Sequence, residues 1–369
     1  MFDEMIDITS QMALKWARHG PDAPIDVSAD FMRLTLDTIA LTALDTRFNS
    51  FYHDDFHPFV NRFGSMFAEI QRRSNRPAWF TWMQWTANRQ FEENNDFIRG
   101  FCAEVLARRR RRLESEVGVD REDVFQAMLG RRDPVTGKKL TDAMIIDNMI
   151  TFLFAGHDTT AGLLSFLILN LIRCPDAYAK VQEEVDRVLG RGVMTADHLN
   201  ELPYIRACLF ETLRLEPPAQ MIAVTPMTTD NAPVTLGARY QIHRGQTAMI
   251  FIPALHRDPD VFGDDADEFR PERMTEDNIK ALPKNAFIPF GNSPRNCIGS
   301  HFAIQEAMVA VAVLFQKFDF ALVDPEYKLQ YQPSLNRKPK GLFITACLRN
   351  NLDVLSLHRD FFVPANQAH

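Results

Sequence analysis

Three shortages bound this chain before any motif is read. Its five cysteines (Cys102, Cys174, Cys208, Cys297 and Cys347) are odd in number, far apart and without a CxxC pair. That excludes a disulfide framework and fits a reducing compartment. Tyrosine and tryptophan are scarce, at six and four, against 29 phenylalanines. Such a balance suits a large, dry, aromatic-lined interior, and suits an ordinary core equally. Positive charge is not in excess: 41 Lys and Arg face 48 Asp and Glu, for a net charge of −7, so no nucleic-acid partner is expected. Repeats and low-complexity segments are also missing. The opening stretch, MFDEMIDITSQMALKW, is acidic and helical. It has neither the pattern of a secretory signal nor that of a membrane anchor, and a cytoplasmic protein is expected.

What is there reads as mostly helix. The 369 residues carry 46% hydrophobic side chains, enough for a substantial core. Helical periodicity is expected over residues 2–19, 29–44 (with Ser28 as N-cap), 58–72, 86–116, 123–129, 176–189 and 203–215. The longest apolar run, residues 150–172, is long enough to raise the question of a membrane span. His157 and Asp158 sit inside it, where a spanning helix rarely carries such groups. It reads instead as a central core helix from the Thr141 cap to Arg173, ~50 Å long, stopped by Cys174-Pro175. Strand patterns are short and late: 234–236, 248–253, 318–323, 328–331 and 341–348. The expectation is a mainly α fold with a small β portion, as a single domain over residues 1–369. The basic run 108–112 is expected to cap a solvated helix end. The aromatic stretch RPAWFTWMQW, beginning at Arg76, is left open between a buried lid and a membrane or partner patch.

Three stretches carry chemistry. In FGNSPRNCIG (residues 290–299) Gly291, Asn292 and Pro294 make a tight turn, and Cys297 is expected at the start of a helix, where free N–H groups stabilise a thiolate. Gly299 lets a flat group approach the backbone, and Arg295 offers a fork for a carboxylate. Together these describe a haem with a cysteine axial ligand; a lone cysteine taken by itself is more often structural. In AGHDTT (155–160), midway along the central helix, the Thr159 hydroxyl can bond the Ala155 carbonyl and open the helix locally. Beside it lies the acid Asp158. An opened helix with an acid–alcohol pair can hold water and deliver protons; a kinked core helix is the plainer reading. In ETLR (211–214) Glu211 and Arg214 share a helix face, and Arg273 is placed to complete a buried network. A surface ion pair is the commoner reading of that spacing.

With FRPERM (269–274), these stretches in this order resemble the cytochrome P-450 family of haem-thiolate monooxygenases. The likeness covers essentially the whole chain and is nearest to the soluble bacterial and fungal fatty-acid hydroxylases fused to a flavin reductase. The resemblance implies haem b bound through Cys297, with Phe290 packed against the thiolate and Arg295 on a propionate. It implies that Gly299, Ala155 and Gly156 lie against the cofactor, and that Thr159 and Asp158 form the oxygen-activation and proton-relay site. Glu211, Arg214 and Arg273 would be a structural triad. Phe154, Ala155, Ala219, Met221, Leu335 and Asn336 match substrate-pocket positions.

The reaction so implied is insertion of one oxygen atom from O2 into an apolar small molecule, most simply fatty-acid hydroxylation. Electrons would come from an NADPH-dependent flavin reductase, and FAD, FMN and NADPH would be bound only on that partner or fused module. No transmembrane anchor is expected in this chain. Lys284, Arg295 and Lys317 are the cations expected to meet an acidic electron donor. Three features depart from the family, one being Asp158 in place of the glutamate common among the nearest relatives, which leaves the chemistry intact. Ser293 stands where the family usually has glycine, at a cost of roughly 1 kcal/mol if the position needs positive φ. The chain also begins where the family's fold is already well under way, so the first strands and helices are expected to be lacking. The alternatives are therefore a truncated haem-binding chain with little or no catalysis, or a peroxide-using haem-thiolate enzyme.

Overall fold

The structure is a computed structural model that describes residues 1–53, 55–74, 76–115, 123–226, 232–332, 336–349, 352 and 357. In chain order the helices are α1 (Phe2–His19), α2 (Val27–Leu44), α3 (Pro58–Ser74), α4 (Ala78–Met83), α5 (Trp85–Ser115), α6 (Val124–Gly130), α7 (Asp142–Arg173), α8 (Pro175–Val188), α9 (Pro203–Leu215), the short α10 (Ile252–Leu255), α11 (Pro259–Phe262) and α12 (Glu276–Ala281), and α13 (Ser300–Lys317). The strands are β1 (Ile25–Asp26), β2 (Met221–Val224), β3 (Val234–Leu236), β4 (Tyr240–Ile242), β5 (Ala248–Phe251), β6 (Phe318–Leu322) and β7 (Phe343–Leu348). The mainly α reading holds. Strands β1, β2 and β4 leave no clear pattern in the sequence, and residues 78–83 coil into a helix where a loop was expected. The chain forms two compact units, one of residues 1–161, 317–325 and 343–369, the other of 162–316 and 326–342.

The first unit is organised around Trp16. Met5, Ile8, Met12 and Trp16 follow the helical period along α1 and are all buried. The Trp16 indole packs edge-on against Phe31, Phe318 and Phe320, with ring centroids 6.1, 6.2 and 5.9 Å away. Its N–H donates to Asp30 at 2.8 Å, so a buried donor is satisfied. Asp30 also receives Lys15 and Arg33 at 2.6 and 2.8 Å. Strands β6 and β7 pair antiparallel, and β1 adds to β7 in the order β1-β7-β6. Helix α2 starts two residues earlier than expected, because Asp26 rather than Ser28 accepts the Ala29 N–H, at 3.0 Å.

The basic run is solvated at Arg110, Arg111 and Arg112, but it does more than cap a helix end. Arg109 is buried and pairs with Asp45 and Asp123 at 3.4 and 3.0 Å. Arg110 forks onto Asp142 at 2.6 and 2.8 Å, and Arg112 reaches Asp45 at 2.6 Å. The run pins α5 to the C-terminus of α2, to the N-cap of α6 and to the first turn of α7. Three acids distant in sequence decide this, which local composition does not show.

Helix α7 runs unbroken, so the hydroxyl of Thr159 does not open it. It is the one helix among the described residues long and apolar enough to cross a membrane, and 72% of its apolar window is buried, as for a core helix. Two glycines mark close approaches. A Cβ on Gly156 would come within 2.9 Å of the Ile39 side chain, and one on Gly162 within 2.7 Å of the Arg337 carbonyl oxygen.

The second unit rests on a fully buried guanidinium. Pro175 and Pro203 open α8 and α9, where a missing N–H costs nothing. From α8 the Glu184 carboxylate accepts the Tyr204 and Ile205 N–H groups of α9 at 2.9 Å each. At the other end of α9, Arg214 and Glu211 have no exposed side-chain surface. Arg214 donates twice to Glu211, both at 2.8 Å, and to the carbonyls of His256, Ala266 and Glu268 at 2.9, 2.6 and 3.1 Å. Every guanidinium donor is thus used. Arg273 lies 3.7 Å from Glu211 and donates to the Phe262 and Asp265 carbonyls at 2.7 and 3.0 Å. The expected triad is therefore a buried network rather than a surface pair.

His256 extends it. Its backbone carbonyl serves Arg214, its Nε2 accepts the Ile288 N–H at 2.9 Å, and its ring packs on Phe287 at 4.9 Å.

Substitution of Arg214 by lysine keeps the charge but strands acceptors of the fork. Arg214→Lys should lower the unfolding free energy by about 3 kcal/mol in urea titration; an unchanged midpoint would mean the network is dispensable. Burial pushes the His256 imidazole from 6.5 down to about 4. Between those values the unfolded chain takes up a proton that the native chain refuses, so stability falls as pH drops through that window. His256→Gln, whose amide oxygen can still accept the Ile288 N–H, should flatten this part of the acid slope in thermal melts at stepped pH. A slope equal to the parent's would assign the acid sensitivity elsewhere.

Candidate functional site

The approach to Cys297 is built by the network just described. From Ile288, held by His256, the backbone enters a turn closed by the Gly291 N–H on the Ile288 carbonyl at 3.0 Å. Gly291 has φ 79°, a conformation open to glycine. The Cys297 N–H then donates back to the Phe290 carbonyl at 2.8 Å, and the Asn296 N–H to Ser293 at 2.9 Å. Ser293 has no positive φ. Its hydroxyl accepts the Arg295 N–H at 3.1 Å, so the expected strain at this position is not found; Gly291 alone carries the left-handed turn within the loop.

Cys297 lies three residues ahead of α13 rather than in its first turn. Gly299 accepts the Ala303 N–H at 2.9 Å and begins the helix. The Cys297 side chain is exposed, and among the described residues its sulfur has no hydrogen-bond partner. A Cβ on Gly299 would meet nothing within 4 Å, and Ile298 beside it is 86% exposed. Phe290 is half-buried, and Arg295 is exposed with no side-chain partner among the described residues. Cys102 and Cys208 are fully buried, and burial pushes the Cys102 thiol up to about 12 and the Cys208 thiol well above its ordinary value, so neither presents its sulfur to a group outside the core. Cys347 is exposed but sits in β7, its sulfur 4.0 Å from the Leu348 carbonyl. A free soft donor, an open glycine face and an unpaired guanidinium on one loop fit a flat, iron-bearing, carboxylate-edged group.

The Ala155–Thr160 stretch belongs to the first unit. Thr159 Oγ1 donates to the Ala155 carbonyl at 2.9 Å, as its spacing suggested. Thr159 and Gly156 are half-buried, Asp158 is buried at 8% exposure, and Ala155 is exposed. His157 is buried, with Nδ1 2.6 Å from the Leu153 carbonyl. Its own carbonyl lies 2.8 Å from the Thr35 hydroxyl of α2. Phe154 is half-buried and stacks on Phe67 at 3.6 Å, with Phe63 at 5.7 Å. An apolar ring cluster therefore adjoins the acid–alcohol pair on its N-terminal side.

The remaining expected positions scatter. Ala219 is exposed, Met221 is 57% exposed on β2, and Asn336 is buried. Leu335 lies outside the described residues. Lys284 is exposed like Arg295, but Lys317 is 3% exposed and cannot meet a docking partner. Sequence reasoning missed His256 as the support of the cysteine loop. It also missed Glu216, buried beside Arg337 at 3.1 Å and Arg257 at 3.5 Å. Each lies just past the end of a helix, α10 or α9, and only the partner's position reveals its role.

Comparison with known proteins accords with this geometry. A cytochrome P-450 family model matches residues 1–346. A bifunctional cytochrome P-450/NADPH--P-450 reductase of Aspergillus oryzae is 46% identical over 360 residues, which are 97% of this chain and 32% of that protein. A bifunctional protein of the same description from Fusarium oxysporum is 43% identical over 95% of this chain and 33% of its own length. A self-sufficient cytochrome P-450 monooxygenase of Exserohilum turcicum is 45% identical over 95% of this chain and 32% of its own length. The chain spans about a third of the length of the curated relatives it matches. By family match, by these relatives and by its mainly helical fold, the chain belongs to the cytochrome P-450 family, oxidoreductases whose cofactor is haem iron.

Proposed function

We propose that this chain is the haem-thiolate monooxygenase part of a self-sufficient system that hydroxylates an apolar substrate, a fatty acid being the simplest candidate. The observation that carries the reading is the free, exposed Cys297 sulfur on a loop braced through Phe290, Ile288, His256 and Arg214. Cys297 would hold the iron as thiolate, with Phe290 and Gly299 against the ring and Arg295 on a propionate. The haem, when bound, supplies oxygen activation, with the electron push of a thiolate ligand favouring O–O cleavage.

The protein's own contribution is order and protons. Thr159 keeps its proton on the Ala155 carbonyl and offers its lone pairs as acceptor; releasing that carbonyl turns it into a donor. Asp158, buried beside it, is the acid that restores the proton. Ala155 and Gly156 give small contact surfaces for the cofactor, while Phe154, Ala219, Met221, Leu335 and Asn336 are the proposed substrate contacts. The ring cluster at Phe154 favours an apolar chain and excludes water. One oxygen atom enters the substrate and the other leaves as water, with electrons from NADPH through the FAD and FMN of a reductase. That the Aspergillus oryzae relative is a bifunctional cytochrome P-450/NADPH--P-450 reductase supports that partner. Residues 1–369 would be the single haem-binding domain of a cytoplasmic protein.

Two measurements test this. Haem-loaded protein, reduced and treated with carbon monoxide, should give the strongly red-shifted Soret band of a thiolate ligand, and Cys297→Ala should lose it. A surviving band, or no haem uptake by the parent, would remove Cys297 as the ligand. Thr159→Ala should consume NADPH faster than it forms product, with coupling reduced about tenfold or more when a reductase is supplied. Unchanged coupling to a medium-chain fatty acid would take Thr159 out of the relay.

A further inference from the structure

Glu216 follows the last residue of α9, and two arginines and a tyrosine converge on its carboxylate. Arg337 donates to it at 3.1 Å, the Tyr331 hydroxyl lies 3.2 Å from both of its oxygens, and Arg257 stands 3.5 Å away. The Arg337 guanidinium also covers the Tyr331 ring, 4.1 Å from its centroid. The Glu216 side chain is only 10% exposed. Burial raises its carboxyl above the ordinary value, against the pull of Arg337, Arg257 and Tyr331. A charge set this deep carries a desolvation cost, and neither the cysteine loop nor the Thr159 stretch makes use of it.

The cluster joins two stretches that both carry proposed substrate contacts. Glu216 leads into Pro217 and Pro218, and then to Ala219 and to Met221 on β2. Neither proline has a backbone N–H to donate. This stretch is therefore tied to its neighbour by accepting: the Arg337 N–H donates to the Pro218 carbonyl at 3.0 Å. Arg337 follows Asn336 in a hairpin, where the Gln332 N–H donates to the Lys338 carbonyl at 2.9 Å and the Lys340 N–H to the Gln330 carbonyl at 2.7 Å. Tyr331 and Arg337 stand on the two arms of that hairpin, and Glu216 accepts from both. One backbone hydrogen bond alone would act as a hinge. The carboxylate adds a second tie. Gly162 of α7 gives a third point, because the Arg337 carbonyl oxygen would be 2.7 Å from a Cβ placed there. Three points of attachment leave no free rotation between the two stretches.

We infer that Glu216 is a positioning residue: with Arg337 and Tyr331 it clamps residues 336–337 to residues 218–221, and so sets where along an apolar chain the oxygen atom is inserted. It acts through Ala219, Met221 and Asn336 rather than by touching substrate. Neighbouring methylenes of a saturated chain differ little in reactivity, so the choice among them falls to pocket shape. A small relative movement of two pocket walls is enough to change that choice. The consequence for selectivity rests on the proposed hydroxylation, whereas the clamp itself needs neither haem nor substrate.

Hydrogen exchange read by mass spectrometry on the intact protein tests the clamp. Glu216→Gln and Arg337→Met should each speed exchange about tenfold or more in peptides covering residues 217–224 and 336–342, and leave α13 at the parent's rate. Product analysis tests the consequence, with haem-loaded protein, a reductase and a saturated medium-chain fatty acid. Each substitution should change the ratio of hydroxylated positions about threefold or more, and the double variant should go no further than either single one, because both break the same pair. Parent-like exchange, or acceleration spread over the whole chain, would overturn the clamp. An unchanged ratio in both single variants, or additive shifts in the double, would overturn its part in selectivity. A haem-loaded parent that forms no hydroxylated acid fails the proposed function instead. Exchange then still decides the clamp: acceleration confined to the two stretches upholds it, and parent-like exchange overturns it.

Discussion

A charge with no water around it sets the terms for the second unit. Arg214 has no exposed side-chain surface and five donors to satisfy, and an uncompensated guanidinium there would cost several kcal/mol. The acceptors come from Glu211 on the same helix and from carbonyls at residues 256, 266 and 268. A segment with little regular structure is thereby fixed at three points. The constraint then passes along covalent and hydrogen bonds: His256 takes the Ile288 N–H, Ile288 accepts from Gly291, and Phe290 accepts from Cys297. The thiol owes its position to a cation more than eighty residues earlier in the sequence.

The first unit solves a different problem, which is to keep a polar stretch in the middle of an apolar helix. The polar groups of residues 157 and 159 are held close to the helix. Thr159 returns its proton to the preceding turn, the His157 ring reaches the Leu153 carbonyl, and Thr35 comes across from α2 to the His157 carbonyl. The helix stays regular as a result, and its polar residues are accommodated without a break in the backbone.

How much of this was legible in the sequence follows the range of the interactions. The long helices were readable because period and cap lie within a few residues, as at α1, α7 and α9. The Thr159 bond and the Glu211–Arg214 pair were readable for the same reason. Longer-range choices were not. Asp26 took the cap from Ser28, three distant acids converted the basic run into an ion-pair hub, and Lys317 was buried where an exposed cation was expected. Residues 78–83 looked like a loop because their aromatic side chains have no apolar–polar alternation; what makes them helical is the bracket of Arg76, Thr81 and Asn88. Cys297 was expected at a helix start, but it lies exposed on the preceding loop and Gly299 begins the helix.

The two glycines of α7 matter to anyone who would diversify this protein by mutation. At Gly156 an added methyl would press on Cγ1 of the Ile39 side chain, which can yield only by turning at a stiff χ1, and at Gly162 on a peptide oxygen, which cannot yield at all. One position is a door and the other a wall, six residues apart on one helix. A library that treats them alike would lose the members that fill the second position to chains that cannot close. Their inactivity would then be mistaken for a chemical defect when it is a matter of volume.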